Sequence, residues 1–189
     1  MSSDELNREQ QALLLRVARD AIGDQLRDGR VPEADTDDPV LLEPRGAFVT
    51  LHLAGALRGC IGTFVSQQPL IHTVQEMAIS AATRDPRFPP LQPAELDQID
   101  IEISALSPLR PVSDPNEIEV GRHGVFIKRD FYSGVLLPQV ATEQGWDRET
   151  FLQHTCLKAG LPPAAWRDPK TTIEVFEAQV FGEKELAAG

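Results

Sequence analysis

The chain has 189 residues, of which 41% are apolar, and its 18 basic and 29 acidic side chains give a net charge of −11. The apolar fraction excludes a disordered chain, and the length suffices for one full domain or two small ones. The acidic balance disfavours a nucleic-acid partner, because DNA and RNA binding depend on neutralising phosphates with lysine and arginine. A nucleic-acid-binding regulator would need a basic face gathered from Arg84, Arg87, Arg122 and Arg129.

The sequence carries no signal for membrane insertion or export. No run approaches the roughly 18 apolar residues of a membrane span, and the opening segment lacks the apolar core of a signal peptide. Cys60 and Cys156 are too far apart for a metal knuckle, and two cysteines make no disulfide framework, a usage typical of a reducing compartment. We therefore expect a cytoplasmic protein with no membrane contact.

The first predicted element is an amphipathic helix over about residues 7–28. Its apolar residues recur at helical spacing, and Asn7 and Gln10 are set three apart as a capping box. Gly29 supplies the left-handed residue that ends the helix, and the polar stretch 30–45 is then a surface connection.

The next segment is predicted to form a β-hairpin around a two-residue turn at Ala54-Gly55. In the register of that turn, Arg58 lies opposite Leu51 and Cys60 lies opposite Val49. Both side chains would project from the face that is otherwise aliphatic. A charge on such a face needs a partner or a ligand.

A second helix is predicted from Pro69 through Ala81, because proline suits the first helical position and apolar residues recur at helical spacing. Its amino end follows Gly62 by only a few residues. Its free N–H groups and positive dipole end would therefore point toward Cys60 and stabilise an anion there by about 0.3–1 kcal/mol.

Further strands and a helix are predicted in the second half of the chain. An alternating strand with an acidic outer face covers about 99–105. The closing segment 171–181 changes parity along its length, which indicates a bulge in one long strand. Between these two we expect a helix capped by Asp147, a turn at Ser133-Gly134, and short strands at Ile118–Val120, Val125–Ile127 and Gly134–Leu137.

These elements predict an α+β fold with a mainly antiparallel sheet flanked by helices. Residues 6–183 would form a single domain, and the proline-rich connection at 107–116 leaves open a division into two lobes that share one core. Residues 1–5 and 184–189 are expected to be loose termini.

The segment Arg58-Gly59-Cys60-Ile61-Gly62 combines a charge, a thiol and two glycines within an apolar run, which marks a candidate site. Cys60 is the candidate nucleophile, since a nearby guanidinium and helix-start amides favour a thiolate. The amides of Ile61 and Gly62 would form an oxyanion hole. The alternative is a small side chain that only packs.

Arg58 is the candidate anion-binding residue, since a guanidinium clamps a carboxylate or phosphate through two parallel hydrogen bonds. The alternative is an ion pair with Glu102 or Asp85. Gly59 and Gly62 leave the backbone bare, where a ligand could approach it closely.

His123, in Gly121-Arg122-His123-Gly124, is a candidate general base or hydrogen-bond donor, and the alternative is a solvated turn histidine. Cys156 falls on the apolar stripe of its helix and is expected in the core. The histidines lack metal-ligand spacing, and no phosphate loop, dinucleotide fingerprint or nucleophile elbow occurs. The sequence therefore predicts no metal site and no cofactor.

Five motifs resemble, in the same order, those of the AMMECR domain family. They are Leu57-Arg58-Gly59-Cys60-Ile61-Gly62, Asp85-x-Arg87-Phe88-x-Pro90, Gly121-Arg122-His123-Gly124, Leu137-Pro138-Gln139-Val140 and Lys158-Ala159-Gly160-Leu161. The resemblance covers about residues 6–183 and implies an α+β fold with a pocket near the Cys60 segment. Asp85, Arg87 and Gln139, which stand in these motifs, join the candidate substrate-binding residues.

The resemblance also implies partners. In microbes the family is similar to the A component of a three-part set, AmmeMemoRadiSam, with a Memo-type protein related to metal-dependent dioxygenases and a radical-SAM enzyme. This chain has neither the Cys-x3-Cys-x2-Cys pattern of an iron–sulfur site nor a histidine set for non-haem iron. We therefore expect it to bind or act on what those partners make.

Two hypotheses for the function follow. In the first, the protein is an enzyme in which Cys60 attacks a small anionic substrate held by Arg58, with assistance from His123 or Gln139. In the second, it is a non-catalytic module that binds a small molecule or docks a partner enzyme, and Arg58 and Cys60 only line the groove.

Overall fold

The computed structural model describes residues 5–188. Residues 1–4 and 189, which belong to the predicted loose termini, lie outside the described residues. The chain divides into two units, one made of residues 5–106 with 179–188 and the other of residues 107–178. Both units combine helices with antiparallel strands, so the predicted α+β class is confirmed.

Five helices and eight strands make up the described chain. In chain order they are α1 (Arg8–Asp28), β1 (Ala47–Leu53), β2 (Ala56–Thr63), α2 (Leu70–Thr83), β3 (Ile99–Leu106), β4 (Arg110–Pro111), β5 (Gly124–Arg129), β6 (Tyr132–Leu136), α3 (Pro138–Gln144), α4 (Arg148–Lys158), β7 (Thr172–Phe176), β8 (Ala178–Gly182) and α5 (Glu183–Ala188). Short 3₁₀ turns occupy Pro93–Glu95, Pro115–Glu117 and Ala165–Arg167.

Helix α1 begins and ends at the residues that the sequence indicates. The Asn7 side chain accepts a hydrogen bond from the Gln10 amide at 3.0 Å, and the Gln10 side chain accepts one from the Asn7 amide at 2.8 Å. Gly29 closes the helix in the left-handed conformation with φ 66°. The capping box and the glycine stop are confirmed, because both depend only on residues within one helical turn.

In the first unit, a four-stranded sheet with the order β2-β1-β3-β8 packs one face against helices α1 and α2. Side chains at alternate positions of β1 and β3 fill this inner face and are fully buried, among them Val49, Leu51, Ile101 and Ile103. The opposite, outer face carries the residues in between, including Phe48, Thr50, Glu102 and Ser104. Strand β2 is an edge strand of this sheet.

The hairpin has the predicted turn but not the predicted register. Leu53 pairs with Ala56 around the turn, and then Leu51 pairs with Gly59, so Arg58 is the extra residue of a β-bulge. The bulge moves every later residue of β2 to the other face, which puts Cys60 opposite Thr50 instead of Val49.

The cause of the bulge lies in the packing of α2 on the sheet. A Cβ atom on Gly59 would lie 2.2 Å from the carbonyl oxygen of Ala81, so only a glycine fits between this strand and the helix. Without the bulge, the Arg58 side chain would occupy that position and bury its charge in the core. The extra residue instead turns Arg58 away from the core.

In the second unit, a four-stranded sheet with the order β4-β7-β5-β6 packs against α4 and buries a core of its own. The strand predicted at Ile118–Val120 is wrong, because these residues follow a 3₁₀ turn and lead into a hydrogen-bonded turn at Glu119–His123. The predicted Ser133-Gly134 turn is also wrong. The reversal falls at Asp130, which has φ 54°, and Ser133 and Gly134 lie within β6.

The closing segment contains two strands where the sequence predicts one bulged strand. Strand β7 pairs with β4 and β5, whereas β8 joins β3 in the sheet of the first unit. The change of parity therefore marks the passage of the chain from one sheet to another. The tail is not loose up to residue 188, because α5 packs Leu186 against the core and its Leu186 carbonyl accepts a hydrogen bond from Arg8 at 2.7 Å. None of the helices within residues 5–188 is both long and apolar enough to cross a bilayer.

We predict that Gly59→Ala destabilises the protein by about 1–3 kcal/mol, because the added methyl group must push α2 away from β2. Gly23→Ala is the matched control. Its methyl group would meet mainly the flexible end of Arg27, and alanine is favoured over glycine within a helix by up to about 1 kcal/mol. Urea unfolding of both variants measures the difference, and equal stability would contradict the proposed contact.

Candidate functional site

Cys60 lies in the middle of β2 with its side chain on the outer face of the sheet. The hydroxyl of Thr50, directly opposite on β1, donates a hydrogen bond to its sulfur at 3.2 Å. The residue is partly exposed and makes no disulfide. Glu102 of β3 lies opposite Thr50 on the other side, so a thiol, a hydroxyl and a carboxylate form one row across three strands.

The free edge of β2 at Cys60 is covered by two side chains from the loop that follows α2. Asp85 Oδ2 accepts the hydrogen bond of the Cys60 amide at 2.8 Å, and Arg87 Nη2 donates to the Cys60 carbonyl at 3.2 Å. A carboxylate and a guanidinium thus bond both backbone groups of Cys60, as a neighbouring strand would do. We refer to Asp85 and Arg87 together as the edge clamp.

The two residues of the edge clamp are also bound to each other. Arg87 donates from Nε to Asp85 Oδ1 at 3.0 Å and from Nη2 to Oδ2 at 2.7 Å, and its own amide donates to Oδ1 at 3.0 Å. Only 2% of the Asp85 side chain is exposed. Its two oxygens therefore accept four hydrogen bonds in a site from which water is excluded.

These contacts shift the pKa values of both groups and favour their charged forms. The hydrogen bond from Arg87 holds the pKa of Asp85 well below its usual range, against an opposing effect of burial, and the amides of Cys60 and Arg87 lower it further. The pKa of Arg87 is raised, first by the hydrogen bond to Asp85 and then by the charges of Asp85 and Cys60. The edge clamp is therefore a fixed ion pair at the backbone of Cys60.

One nitrogen of Arg87 remains for a ligand. Its Nε and Nη2 are used within the edge clamp, whereas Nη1 donates to no oxygen among residues 5–188. The side chain is 55% exposed. A guanidinium that is held on one side and open on the other can bind a carboxylate or phosphate from solution.

Arg58, the predicted anion-binding residue, is already paired. Its Nε and Nη2 donate to the two oxygens of Glu95 at 2.9 and 3.0 Å, and Nη1 donates to the Pro89 carbonyl at 2.9 Å. Only 13% of its side chain is exposed. Of the two interpretations of Arg58, the ion pair is the one with observed contacts, and its partner is Glu95 instead of Glu102 or Asp85.

The glycines and the Ile61 amide beside Cys60 have structural roles in packing and in the strand ladder. A Cβ atom on Gly62 would lie 2.1 Å from the Phe48 ring, so this glycine makes room for an aromatic side chain and Gly59 for α2. Because the Cys60 amide points away from β1, the next amide, that of Ile61, points into the ladder with β1. The ladder leaves no pair of free amides for the predicted oxyanion hole.

The expectation for the amino end of α2 is wrong. The amides of Leu70 and Ile71 donate to the carbonyls of Glu43 and Leu41 at 2.9 and 3.2 Å, so they are not free for an anion. The part of α2 that approaches β2 next to Cys60 is its last turn, at Ala81. The helix dipole therefore gives no support to an anion at Cys60.

His123 and Gln139 belong to the second unit. The His123 ring is buried, its Nδ1 accepts the Glu119 amide at 3.0 Å, and its Nε2 lies 3.7 Å from Glu177. Burial lowers the pKa of His123, so the ring is neutral with its proton on Nε2. Gln139 is exposed in the first turn of α3.

Cys156 is fully buried in the core of the second unit, as predicted, and burial raises the pKa of its thiol. Within residues 5–188, no group of three or more histidine, cysteine or acidic side chains is arranged to hold a metal ion.

Two contacts of the site are not predicted from the sequence. Thr50 is a neighbour of Cys60 only in the bulged register, for which the glycine inside β2 is the available signal. Glu95 lies 37 residues from Arg58, and no local pattern links them.

Comparison with known proteins identifies the family. The AMMECR1 family model matches residues 15–181 of the chain. The chain belongs to the AMMECR1 family. The resemblance of the five sequence motifs to this family is thereby confirmed.

Archaeal relatives match nearly the whole chain. A protein of Thermococcus gammatolerans is 48% identical over 90% of this chain and 89% of its own length. A protein of Methanothermobacter thermautotrophicus is 48% identical over 94% of this chain and 96% of its own length. The crystal structure of the uncharacterized protein PH0010 from Pyrococcus horikoshii, 43% identical, is similar with a TM-score of 0.71 over 90% of both chains.

We predict that iodoacetamide modifies Cys60 in the folded AMMECR1-family protein and leaves Cys156 unmodified until the chain unfolds. The reason is that Cys60 is partly exposed on a sheet face, whereas Cys156 lies in a core. Peptide mass spectrometry with and without urea distinguishes the two thiols. Modification of both at the same rate in the folded protein would contradict the structure.

We predict that the free energy of unfolding falls as the pH drops below about 6.5, the ordinary pKa of histidine. Because folding lowers the pKa of His123, the unfolded chain binds the proton first, and protonation favours unfolding by at most about 1.4 kcal/mol per pH unit. His123→Asn, whose amide oxygen can replace Nδ1 as acceptor, should lose this part of the dependence. Urea unfolding between pH 5 and 8 tests it, and an unchanged slope in the variant would contradict it.

Proposed function

We propose that this AMMECR1-family protein binds a small anionic substrate on the outer face of the first unit's sheet and attacks it with the thiolate of Cys60. The observation that supports the proposal is the edge clamp, which fixes a half-exposed guanidinium beside the Cys60 backbone and leaves its Nη1 without an acceptor among residues 5–188. In this arrangement Arg87 takes the role that the sequence assigned to Arg58.

The chemistry requires three groups of this unit. The thiol loses its proton to solvent, and the thiolate forms a bond to an electrophilic carbon while the electron pair of the broken bond leaves with the departing group or moves to a carbonyl oxygen. Arg87 holds the anionic group of the substrate through Nη1, and Thr50 orients the sulfur by its hydrogen bond. Asp85 remains bound to Arg87 and does not contact the substrate.

His123 and Gln139 remain proposed assisting groups. With Nδ1 occupied by the Glu119 amide, His123 can donate a hydrogen bond through Nε2 but cannot act as a base, and the steps above use residues of the first unit alone. We propose residues 6–183 as the functional domain and the cytoplasm as its location, in keeping with the free thiols Cys60 and Cys156.

A second candidate is a non-catalytic module that binds a small molecule or docks a Memo-type protein or a radical-SAM enzyme. The observation in its favour is that Gly59, Ile61 and Gly62 all have structural uses, so the motif around Cys60 is explained without an oxyanion hole. In this case a small anionic ligand would bind at Arg87 and be released unchanged.

Charge-selective alkylation tests the proposal, since iodoacetate is a small anionic electrophile and iodoacetamide is its neutral analogue. The measured quantity is the rate of Cys60 alkylation by iodoacetate divided by the rate with iodoacetamide. We expect this ratio to be on the order of fivefold higher in the native protein than in the unfolded chain, because two unit charges about 4 Å apart attract by about 1 kcal/mol in water. Arg87→Gln should lose this preference. Arg58→Gln, which has the same net charge, should keep it because Arg58 is turned toward Glu95.

The outcomes separate the two arginines. Loss of the preference in the Arg58 variant alone would contradict the assignment to Arg87. A native Cys60 with the same rate ratio as the unfolded chain would contradict an anion site at the thiol and favour the second candidate. Circular dichroism of each variant establishes that the rates refer to folded protein.

A further inference from the structure

The Asp85 carboxylate has more hydrogen bonds than a surface ion pair needs. It accepts from the Cys60 amide, the Arg87 amide, and the Nε and Nη2 atoms of Arg87, at 2.7–3.0 Å. With 2% of the side chain exposed, none of its oxygens faces a substrate. Because all four hydrogen bonds are made within the protein, Asp85 must act through the groups that it binds.

We propose that Asp85 is a positioning residue that holds the Arg87 guanidinium beside the Cys60 thiol, and that the site loses its preference for anions when this carboxylate is removed. This inference rests on the proposed function. It differs from the sequence-based expectation, in which Asp85 binds substrate directly.

Geometry distinguishes positioning from a general effect of charge. Arg87 has no other carboxylate partner within residues 5–188, and its remaining bond is the one to the Cys60 carbonyl at 3.2 Å. Without Asp85, the long and half-exposed side chain would gain rotamer freedom and leave the strand edge. The positive charge would remain in the protein but not at the thiol.

The two explanations predict changes of opposite sign. If Asp85 acted only as a negative charge near the thiol, Asp85→Asn would make the site more positive and increase the preference of Cys60 for iodoacetate over iodoacetamide. If Asp85 positions Arg87, the same substitution decreases the preference to the value of Arg87→Gln. A purely structural role would lower stability without moving the ratio of the two rates.

The matched control is Glu95→Gln. Like Asp85→Asn, it removes one negative charge from a carboxylate–guanidinium pair at β2, in this case the pair of Glu95 with Arg58. The positioning role predicts about a fivefold loss of the rate ratio in Asp85→Asn and a native ratio in Glu95→Gln. A retained or increased ratio in Asp85→Asn would overturn the inference.

Two further measurements keep the test decisive. If Asp85→Asn does not fold, Arg87→Lys replaces it, because lysine keeps the charge but cannot form the two parallel bonds to Asp85. A native rate ratio in Arg87→Lys would contradict the positioning role. NMR cross-peaks between the Arg87 guanidinium and Cys60 protons should be present in the native protein and in Glu95→Gln, and absent in Asp85→Asn.

The experiment separates this inference from the proposed function. A native protein without any preference for iodoacetate refutes the anion site, while loss of the cross-peaks in Asp85→Asn alone would still establish positioning. A preference that disappears in Arg87→Gln but persists in Asp85→Asn supports the anion site and refutes the role of Asp85.

Discussion

The buried carboxylate of Asp85 is the constraint on which the candidate site depends. A charge that is removed from water is stable only when its hydrogen bonds are satisfied, and Asp85 satisfies them with the backbone of Cys60 and with Arg87. Two hydrogen bonds, from the Cys60 amide to Asp85 and from Arg87 to the Cys60 carbonyl, tie the loop after α2 to the edge of β2. Together with the close approach of α2 at Gly59 and the ladder with β1, they hold the strand that carries the thiol on three sides.

A one-residue bulge in β2 determines which of its side chains lie on the outer face of the sheet. The sequence correctly predicts α1 with both of its ends, the hairpin turn and the α+β class, because each depends on residues near one another in the chain. It does not predict the register beyond the turn. A bulge at Arg58 exchanges the faces of all later residues, and only Gly59, a glycine inside a strand, signals it.

The contacts that make the site are long-range, which is why spacing and periodicity do not find them. Asp85 and Arg87 lie 25 and 27 residues from Cys60, and Glu95 lies 37 residues from Arg58. The motif containing Asp85 and Arg87 marks them as candidates, but it cannot tell which arginine is paired and which is open. The parity change in the closing segment was similarly ambiguous, because a bulge and a passage between two sheets produce the same local pattern.

The anion site at Cys60 and Arg87 is tested most directly by a crystal structure of the protein after reaction of Cys60 with iodoacetate. The carboxymethyl group places a carboxylate two bonds from the sulfur, within reach of the nearest free cation. We predict that this carboxylate accepts a hydrogen bond from Nη1 of Arg87, with the Asp85–Arg87 and Arg58–Glu95 pairs intact. A carboxylate that binds Arg58, or that extends into solvent away from Arg87, would contradict it.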